Sequence, residues 1–306
     1  MRAWSKVDAT ARALLGTARL LWTHPLTAQH RSAAVVRWAR WQIGSRLLPG
    51  AVVIRFVDET RLLVSPGQTG ATGNIYVGLH EFTDMAFVVH FLREGDGFVD
   101  IGANVGTYTV LAAGVCSANA IAAEPVPATF EHLRANVRLN DVEDRVRAVN
   151  VGLAARSGNL RFTQTLDTVN HVLSPDETSD LTIEVPVTTV DELVGDGPPL
   201  LIKVDVEGFE SEVFAGAEKT LARPELRALI VELNGSGSRY GVDEAGLQRR
   251  IESFGFRPHS YDPFARLLTP IDGKSGEGNT LYLRDVGVVQ ERLSRARRVR
   301  VLDVDF

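Results

Sequence analysis

Cysteine is almost absent: Cys116 is the only one among 306 residues. A single thiol forms no internal disulfide and no cysteine-based metal site, which fits a reducing compartment. Long apolar runs are absent too, and none approaches the ~18 residues of a membrane span. Arg12 and Arg19 interrupt what would be the apolar core of a signal peptide. The expected location is therefore the cytoplasm. Positive charge is also in short supply. With 33 Lys and Arg against 38 Asp and Glu, the formal net charge is -5. No global positive field draws phosphates in, so a nucleic-acid partner is not expected.

The chain does have enough apolar material for a full core, 44% of residues. Its length suits one large α/β domain with an extension. Residues 1–50 differ from the rest: up to position 48 they hold eight Arg or Lys against one acid, Asp8. Trp4, Val7, Ala11, Leu14, Leu15, Ala18, Leu21 and Trp22 recur at helical spacing within an arc of about 120°. An amphipathic helix is predicted over 5–23, ended by His24-Pro25, and a second over 29–48. This pair either packs on the main domain, joins two subunits, rests as a basic surface on anionic lipid near a lipid-linked substrate, or belongs to a cleaved transit peptide. Residues 51–57 and 61–64 read as a β-hairpin leading into the main domain, so 51–75 form a lead-in with a loop over 67–73. A helix is predicted over 82–92. Glu81, at its start, could reach the cationic end of a ligand or stabilise the helix N-terminus.

The stretch Phe98-Val-Asp-Ile-Gly-Ala-Asn-Val-Gly-Thr-Tyr-Thr109 organises the main domain. It reads as a buried strand ending in Asp100, a turn through Gly102, Ala103, Asn104 and Gly106, and a helix opening at Thr107 and Tyr108. Such a turn at the carboxyl edge of a parallel sheet suits a nucleotide-type ligand. Its spacing, Asp-x-Gly-x-Asn-x-Gly, is not the Gly-x-Gly-x-x-Gly of dinucleotide oxidoreductases. The next strand ends in Glu124-Pro125, which places a carboxylate to accept from ribose hydroxyls. Strands follow over 147–153, 159–165 and 181–188, with a polar loop over 166–180 carrying Asn170-His171. Leu200-Leu-Ile-Lys-Val-Asp-Val-Glu-Gly-Phe-Glu-Ser-Glu212 is a core strand ending at Asp205, then a turn at Glu207-Gly208. A strand over 227–234 carries Glu232 and Asn234 on one side. A helix (245–254) and two strands (about 256–261 and 279–284) close the domain at about 290, and an Arg-rich tail fills 291–306.

Asp100-x-Gly-x-Asn-x-Gly106, Glu124-Pro125, Asn140 and the string Ile202-Lys-Val-Asp-Val-Glu-Gly-Phe-Glu210 together resemble the FkbM family of S-adenosylmethionine-dependent methyltransferases. The resemblance implies a class I, Rossmann-like α/β domain over 76–290, with a mainly parallel seven-stranded sheet and one antiparallel strand. It implies O-methylation of a sugar, glycolipid or secondary metabolite with S-adenosyl-L-methionine as cofactor. Asp100, Gly102, Asn104 and Gly106 would hold the methionine part of the cofactor and Glu124 the ribose. Asn150, Val151 and Gly152 would lie near adenine. Asp205 would face the sulfonium and the acceptor. Glu81, Ala103, Thr107, Tyr108 and Pro125 complete the expected cofactor contacts. An alcohol acceptor must lose a proton, and His171 is the first candidate base because imidazole titrates near neutral pH. Asp205 and Glu207 follow. Asp205, Glu232 and Asn234 offer oxygen ligands suited to Mg²⁺, but no metal is expected. The rivals are an NAD-dependent oxidoreductase, a nucleic-acid base methyltransferase and a non-catalytic cofactor-binding scaffold.

Overall fold

A computed structural model describes residues 15–47, 50–163, 171–173, 181–241, 243–275 and 278–306. Residues 15–23 are helical up to the turn that His24-Pro25 imposes, and a second helix spans Arg31–Leu47. The part of the first predicted helix before residue 15 lies outside the described residues, as does Asn170. Strands β1 (Val52–Arg55) and β2 (Arg61–Val64) form the expected hairpin. The free edge of β2 is not left open. Asn140 Oδ1 accepts from Arg61 N at 2.8 Å and its Nδ2 donates to Arg61 O at 2.9 Å, while Asn136 Oδ1 accepts from Leu63 N at 2.6 Å. Two side-chain amides on the helix Pro127–Leu139 and at its end thus complete the ladder a third strand would supply.

The main sheet is built from β3 (Gly97–Ile101), β4 (Asn119–Ala123) and β5 (Val146–Val149) in parallel. The chain then departs through a small layer made of β6 (Gly152–Leu153), β7 (Gly158–Thr163) and β8 (Thr182–Thr188). It returns to the other side of β3 as β9 (Leu201–Val204), followed by β10 (Ala228–Glu232). β11 (Arg257–Asp262), β12 (Leu267–Pro270) and β13 (Asn279–Leu283) finish the order β12-β11-β13-β10-β9-β3-β4-β5. The order reverses between β3 and β9, and a crevice at such a reversal is where open α/β sheets bind ligands. Alternation along each strand feeds two cores. Phe98, Ala120, Leu201 and Ile230 face one layer of helices, which includes the almost wholly buried Phe82–Phe91. Val99, Ile202, Val204 and Leu229 face the other, against Val213, Phe214 and Leu221.

The sheet has eight strands, because β12 adds antiparallel to β11 at the edge, while β13 runs against both its neighbours. Three expectations need correction. The predicted strand over 147–153 is two short strands in different sheets. It breaks where the Asn150 side chain donates to the carbonyls of Glu124 and Pro125. The predicted loop over 67–73 opens a helix, Thr69–Val77. Two glycines make that helix poor by propensity, but tertiary packing overrides this: Ala71, Tyr76 and Val77 are buried, and a Cβ on Gly73 would stand 2.0 Å from the His80 ring. The tail after residue 291 is folded onto the body. It ends the helix Val286–Ser294 and forms a hairpin of β14 (Arg300–Val301) and β15 (Val304–Asp305), with Val301 and Phe306 buried and Arg297 paired with Asp58. No helix among the described residues is long and apolar enough to cross a membrane.

Candidate active site

The turn after β3 is shaped by contact with β9. A Cβ on Gly102 (φ 75°) would lie 1.8 Å from the Asp205 carbonyl oxygen, so only glycine lets the two strand ends meet. Asn104 sits in the left-handed region at φ 51°, which asparagine tolerates, and its Oδ1 accepts from Val105 N at 2.8 Å. Gly106 serves packing. Its absent Cβ would be 2.4 Å from Leu133 Cδ1, and it does not face the cleft.

Above the strand ends lies a cleft of about 300 Å³, within the size range of small-molecule sites. Glu81, Asp100, Gly102, Ala103, Asn104, Thr107, Tyr108, Glu124, Pro125, Val151, Gly152, Asp205 and Glu207 line it. Asn150 does not line it. Its amide holds the Glu124-Pro125 carbonyls from behind. His171 is not on the wall either. It is 4% exposed, its backbone is tied to Thr163, and its electrostatic reach is to Glu207.

Asp100 is 1% exposed. Its Oδ2 accepts from Thr109 Oγ1 at 2.6 Å, while Oδ1 has no partner among the described residues. Burial pushes its pKa up, against the pull of Lys203 and Thr109. Glu124 Oε2 accepts from Asn104 N at 3.0 Å and Oε1 from Val126 N at 2.9 Å. Burial nevertheless lifts its pKa to about 7, so two amide donors do not offset its removal from water.

Lys203, which the motif contains but sequence reasoning did not place in the site, is the cation at the centre. It pairs in register with Asp100 across β3 and β9, is 3% exposed, and puts Nζ 2.7 Å from Asp205 Oδ2 and 4.7 Å from the Tyr108 ring centroid. Burial pulls its pKa down, but Asp205, Glu81 and Asp100 outweigh this and keep it charged. Burial raises and Lys203 lowers the Asp205 pKa, with a net fall. Glu232 is pushed the other way, to about 9, by burial and by Asp205. A protonated Glu232 therefore donates to an ionised Asp205. Glu207 has φ 56°, a left-handed conformation uncommon for glutamate and a mark of local strain. Burial and Asp205 raise its pKa, while Arg239 and His171 lower it. Glu210, 4% exposed, does not reach the cleft. Its Oε1 accepts from Gly208 N at 3.1 Å and Val206 N at 3.4 Å, which pins the turn that carries Glu207.

Carboxylate oxygens of Asp205, Glu207 and Glu232 lie within 4.8 Å of one another, close enough to share a cation. Asn234, the third ligand weighed from the sequence, is exposed and holds Ser236 N instead. With Lys203 charged and Glu232 protonated, ionised Asp205 and Glu207 leave this group one net negative charge. Several wall residues carried no readable signal. Gly70, Ala71, Asn74 and His80 come from the helix Thr69–Val77 and the turn after it, and Phe162, Val172 and Phe209 form an apolar roof from the small sheet and the β9 turn. Phe209 stacks edge-on with Tyr240, whose hydroxyl donates to Val172 O at 2.5 Å.

The profile of the FkbM methyltransferase domain matches residues 100–258. The chain is 34% identical over 147 residues to the hexuronic acid methyltransferase AglP of Haloferax volcanii, covering 46% of this chain and 57% of that protein. It is 30% identical over 172 residues to the methyltransferase sdnD of Sordaria araneosa, covering 45% and 66%. The chain thus spans less than two thirds of the length of these curated relatives. Among solved structures, a TehB-like SAM-dependent methyltransferase from Corynebacterium glutamicum superposes with a TM-score of 0.40 at 11% identity, over 71% of this chain and 95% of that one. A profile match that runs from Asp100 to Pro258 takes in just over half the chain, including the glycine turn, Glu124 and the β9 turn, and it shows that the chain belongs to the FkbM methyltransferase family.

Proposed function

We propose that the protein is an S-adenosylmethionine-dependent O-methyltransferase whose acceptor is a hydroxyl of a sugar, a glycolipid or a secondary metabolite. Charge carries this reading. Glu81, Asp100, Glu124, Asp205 and Glu207 line the cleft beside a protonated Glu232 and against one lysine, and Asp100 Oδ1 is buried without a donor among the described residues. S-Adenosylmethionine brings an ammonium and a sulfonium, both cations, and two ribose hydroxyl donors. NAD would bring a pyrophosphate into the same carboxylates, and their repulsion disfavours the oxidoreductase reading. The residues fit the cofactor. Asp100 Oδ1 and Glu81 suit the ammonium. Each Glu124 oxygen holds one backbone N–H and keeps a lone pair for a ribose hydroxyl. Val151, Gly152, Leu153 and Phe162 offer an apolar wall for a purine.

The bound cofactor supplies a methyl carbon already activated by sulfonium. The chain must align the acceptor oxygen with it, exclude water and take the hydroxyl proton. Glu207 is the proposed base. Its raised pKa makes it a stronger proton acceptor than a free carboxylate, and His171 acts from behind it rather than on the substrate. Asp205, held ionised by Lys203, accepts from a neighbouring hydroxyl of the acceptor and so orients it. Phe162, Val172 and Phe209 cover the site with apolar surface. A second cleft of about 810 Å³, lined by Trp41, Gln42 and Tyr76, shares His80 with the first and gives the remainder of an acceptor room. The relative named for hexuronic acid supports a sugar acceptor. The test is incubation with methyl-deuterated cofactor and a panel of uronic-acid and neutral saccharides, read by mass spectrometry. One labelled methyl on oxygen is expected. Labelled methyl found only on nitrogen or carbon, or no transfer to any hydroxyl compound, would contradict the proposal.

A further inference from the structure

From residue 9 to residue 57 the chain has seven arginines and no Asp or Glu, although the whole chain carries a net charge of -5. Five of these arginines, Arg19, Arg31, Arg40, Arg46 and Arg55, are exposed. None of the five is ion-paired with another described residue. The same segment holds most of the exposed large apolar side chains. Leu15 is 70% exposed, Trp22 59%, Ile43 61% and Leu47 73%, and Val35, Val36, Val52 and Val53 are also open.

These residues are arranged. On the helix Arg31–Leu47, Val36, Ile43 and Leu47 fall at i, i+7 and i+11 and share one face, with Arg40 between them. The other face is used for packing: Ala34 is buried and Trp38 and Trp41 lie against Tyr76 and Val77. On β1, Val53 is open and shares the outward side of the strand with Arg55, while Val52 lies on the side of buried Val64. At the helix's other end Arg31 stacks 4.9 Å from the Trp22 ring centroid, and indole and guanidinium groups suit the headgroup level of a bilayer.

We propose that Val36, Ile43 and Leu47 on the helix and Val53 on the outward side of β1, with Arg40, Arg46 and Arg55, rest on the surface of an anionic lipid bilayer. Apolar side chains enter the acyl boundary and arginines meet anionic headgroups, each near such a surface strengthening binding about fivefold. A second copy of the chain suits this face poorly. A two-fold contact would set these arginines against the same arginines with no carboxylate between them. This proposal does not depend on the reading of the cleft.

The test is sedimentation of the full chain with vesicles of phosphatidylcholine alone and with 30 mol% phosphatidylglycerol, at low and at ~0.5 M salt. Binding to the anionic vesicles is expected to be at least tenfold stronger, and to fall in high salt. Ile43→Ser with Leu47→Ser should weaken it at least tenfold, and Arg40→Gln with Arg55→Gln by about twenty-fivefold. All four positions are exposed, so melting temperature and cofactor affinity should stay at wild-type values. Absence of pelleting, equal pelleting with neutral vesicles, or a dimer in light scattering that Ile43→Ser with Leu47→Ser dissociates would overturn the proposal.

Discussion

Replacing Glu210 by glutamine should stabilise the ligand-free protein above neutral pH, although it alters the family's acidic string. Glu210 is 4% exposed and has its pKa lifted from 4.5 to about 7, chiefly by burial. Below pH 4.5 the carboxyl is protonated whether the chain is folded or not, so it has no effect on stability. Between 4.5 and 7 the unfolded chain has lost the proton and the folded chain has kept it. The folded state then binds more protons, and stability falls as pH rises through that window. Above pH 7 the full penalty applies, about 2.5 pH units at 1.36 kcal/mol each, or roughly 3.4 kcal/mol. Glutamine retains an oxygen to accept from Gly208 N and Val206 N, and has nothing to ionise. For a chain of 306 residues the unfolding entropy converts that figure to about 5 °C. Melting curves should therefore coincide near pH 4.5 and separate by about 5 °C at pH 8, with the variant higher. Parallel curves across the range would refute the argument, because the proton would not be linked to folding through Glu210.

Glu124→Gln should behave differently despite the same raised pKa of about 7. Both Glu124 oxygens accept from backbone N–H groups, so a glutamine must turn an amide N–H₂ toward one of them, and the variant should melt below wild type at pH 8. Glu207→Gln should keep cofactor affinity and lower turnover by about 10²-fold or more, read in a labelled-methyl assay. In the same assay His171→Ala should move the acidic limb of the pH–rate profile upward, because His171 lowers the Glu207 pKa; an unmoved profile would separate the two residues. Lys203→Met leaves Asp205 and Asp100 without their buried counter-charge and should cost about 3–5 kcal/mol in denaturant unfolding at pH 8. The loss should be smaller at pH 5.5, where the carboxyls can take up protons.

Residues at strand ends were the readable part of this site. Asp100, Glu124 and Asp205 each close an apolar run, and a polar residue there has one place to go in a parallel sheet, the ligand edge. The fold class followed from the same alternation of strand and helix. The features hidden from sequence came from long-range assembly. The helix Thr69–Val77 exists because its small residues pack, against its glycine content, and it brings Asn74 and delivers His80 to the wall. Phe162, Val172 and Phe209 meet over the cleft from two separate layers. Lys203 stood inside a strand whose neighbours are all apolar, where spacing cannot tell a surface lysine from a buried partner of Asp100 and Asp205. His171 was misplaced for a related reason. It stands in a stretch, 166–180, that reads as a polar loop, but its own side chain is buried. β12 is a short strand of mixed exposure at the sheet edge, and such strands leave little periodicity to detect.

The central claim is that the acidic cleft at the β3–β9 reversal holds S-adenosylmethionine through the buried, unpartnered oxygen of Asp100. Calorimetric titration of wild type and Asp100→Ala with S-adenosylmethionine, and of wild type with NAD, tests it directly. Wild type should bind S-adenosylmethionine and not NAD, and the substitution should weaken binding at least tenfold, since a hydrogen bond to a charged group contributes about 1.5–3 kcal/mol. Equal affinity of wild type and Asp100→Ala for S-adenosylmethionine, or binding of NAD in its place, would contradict the account.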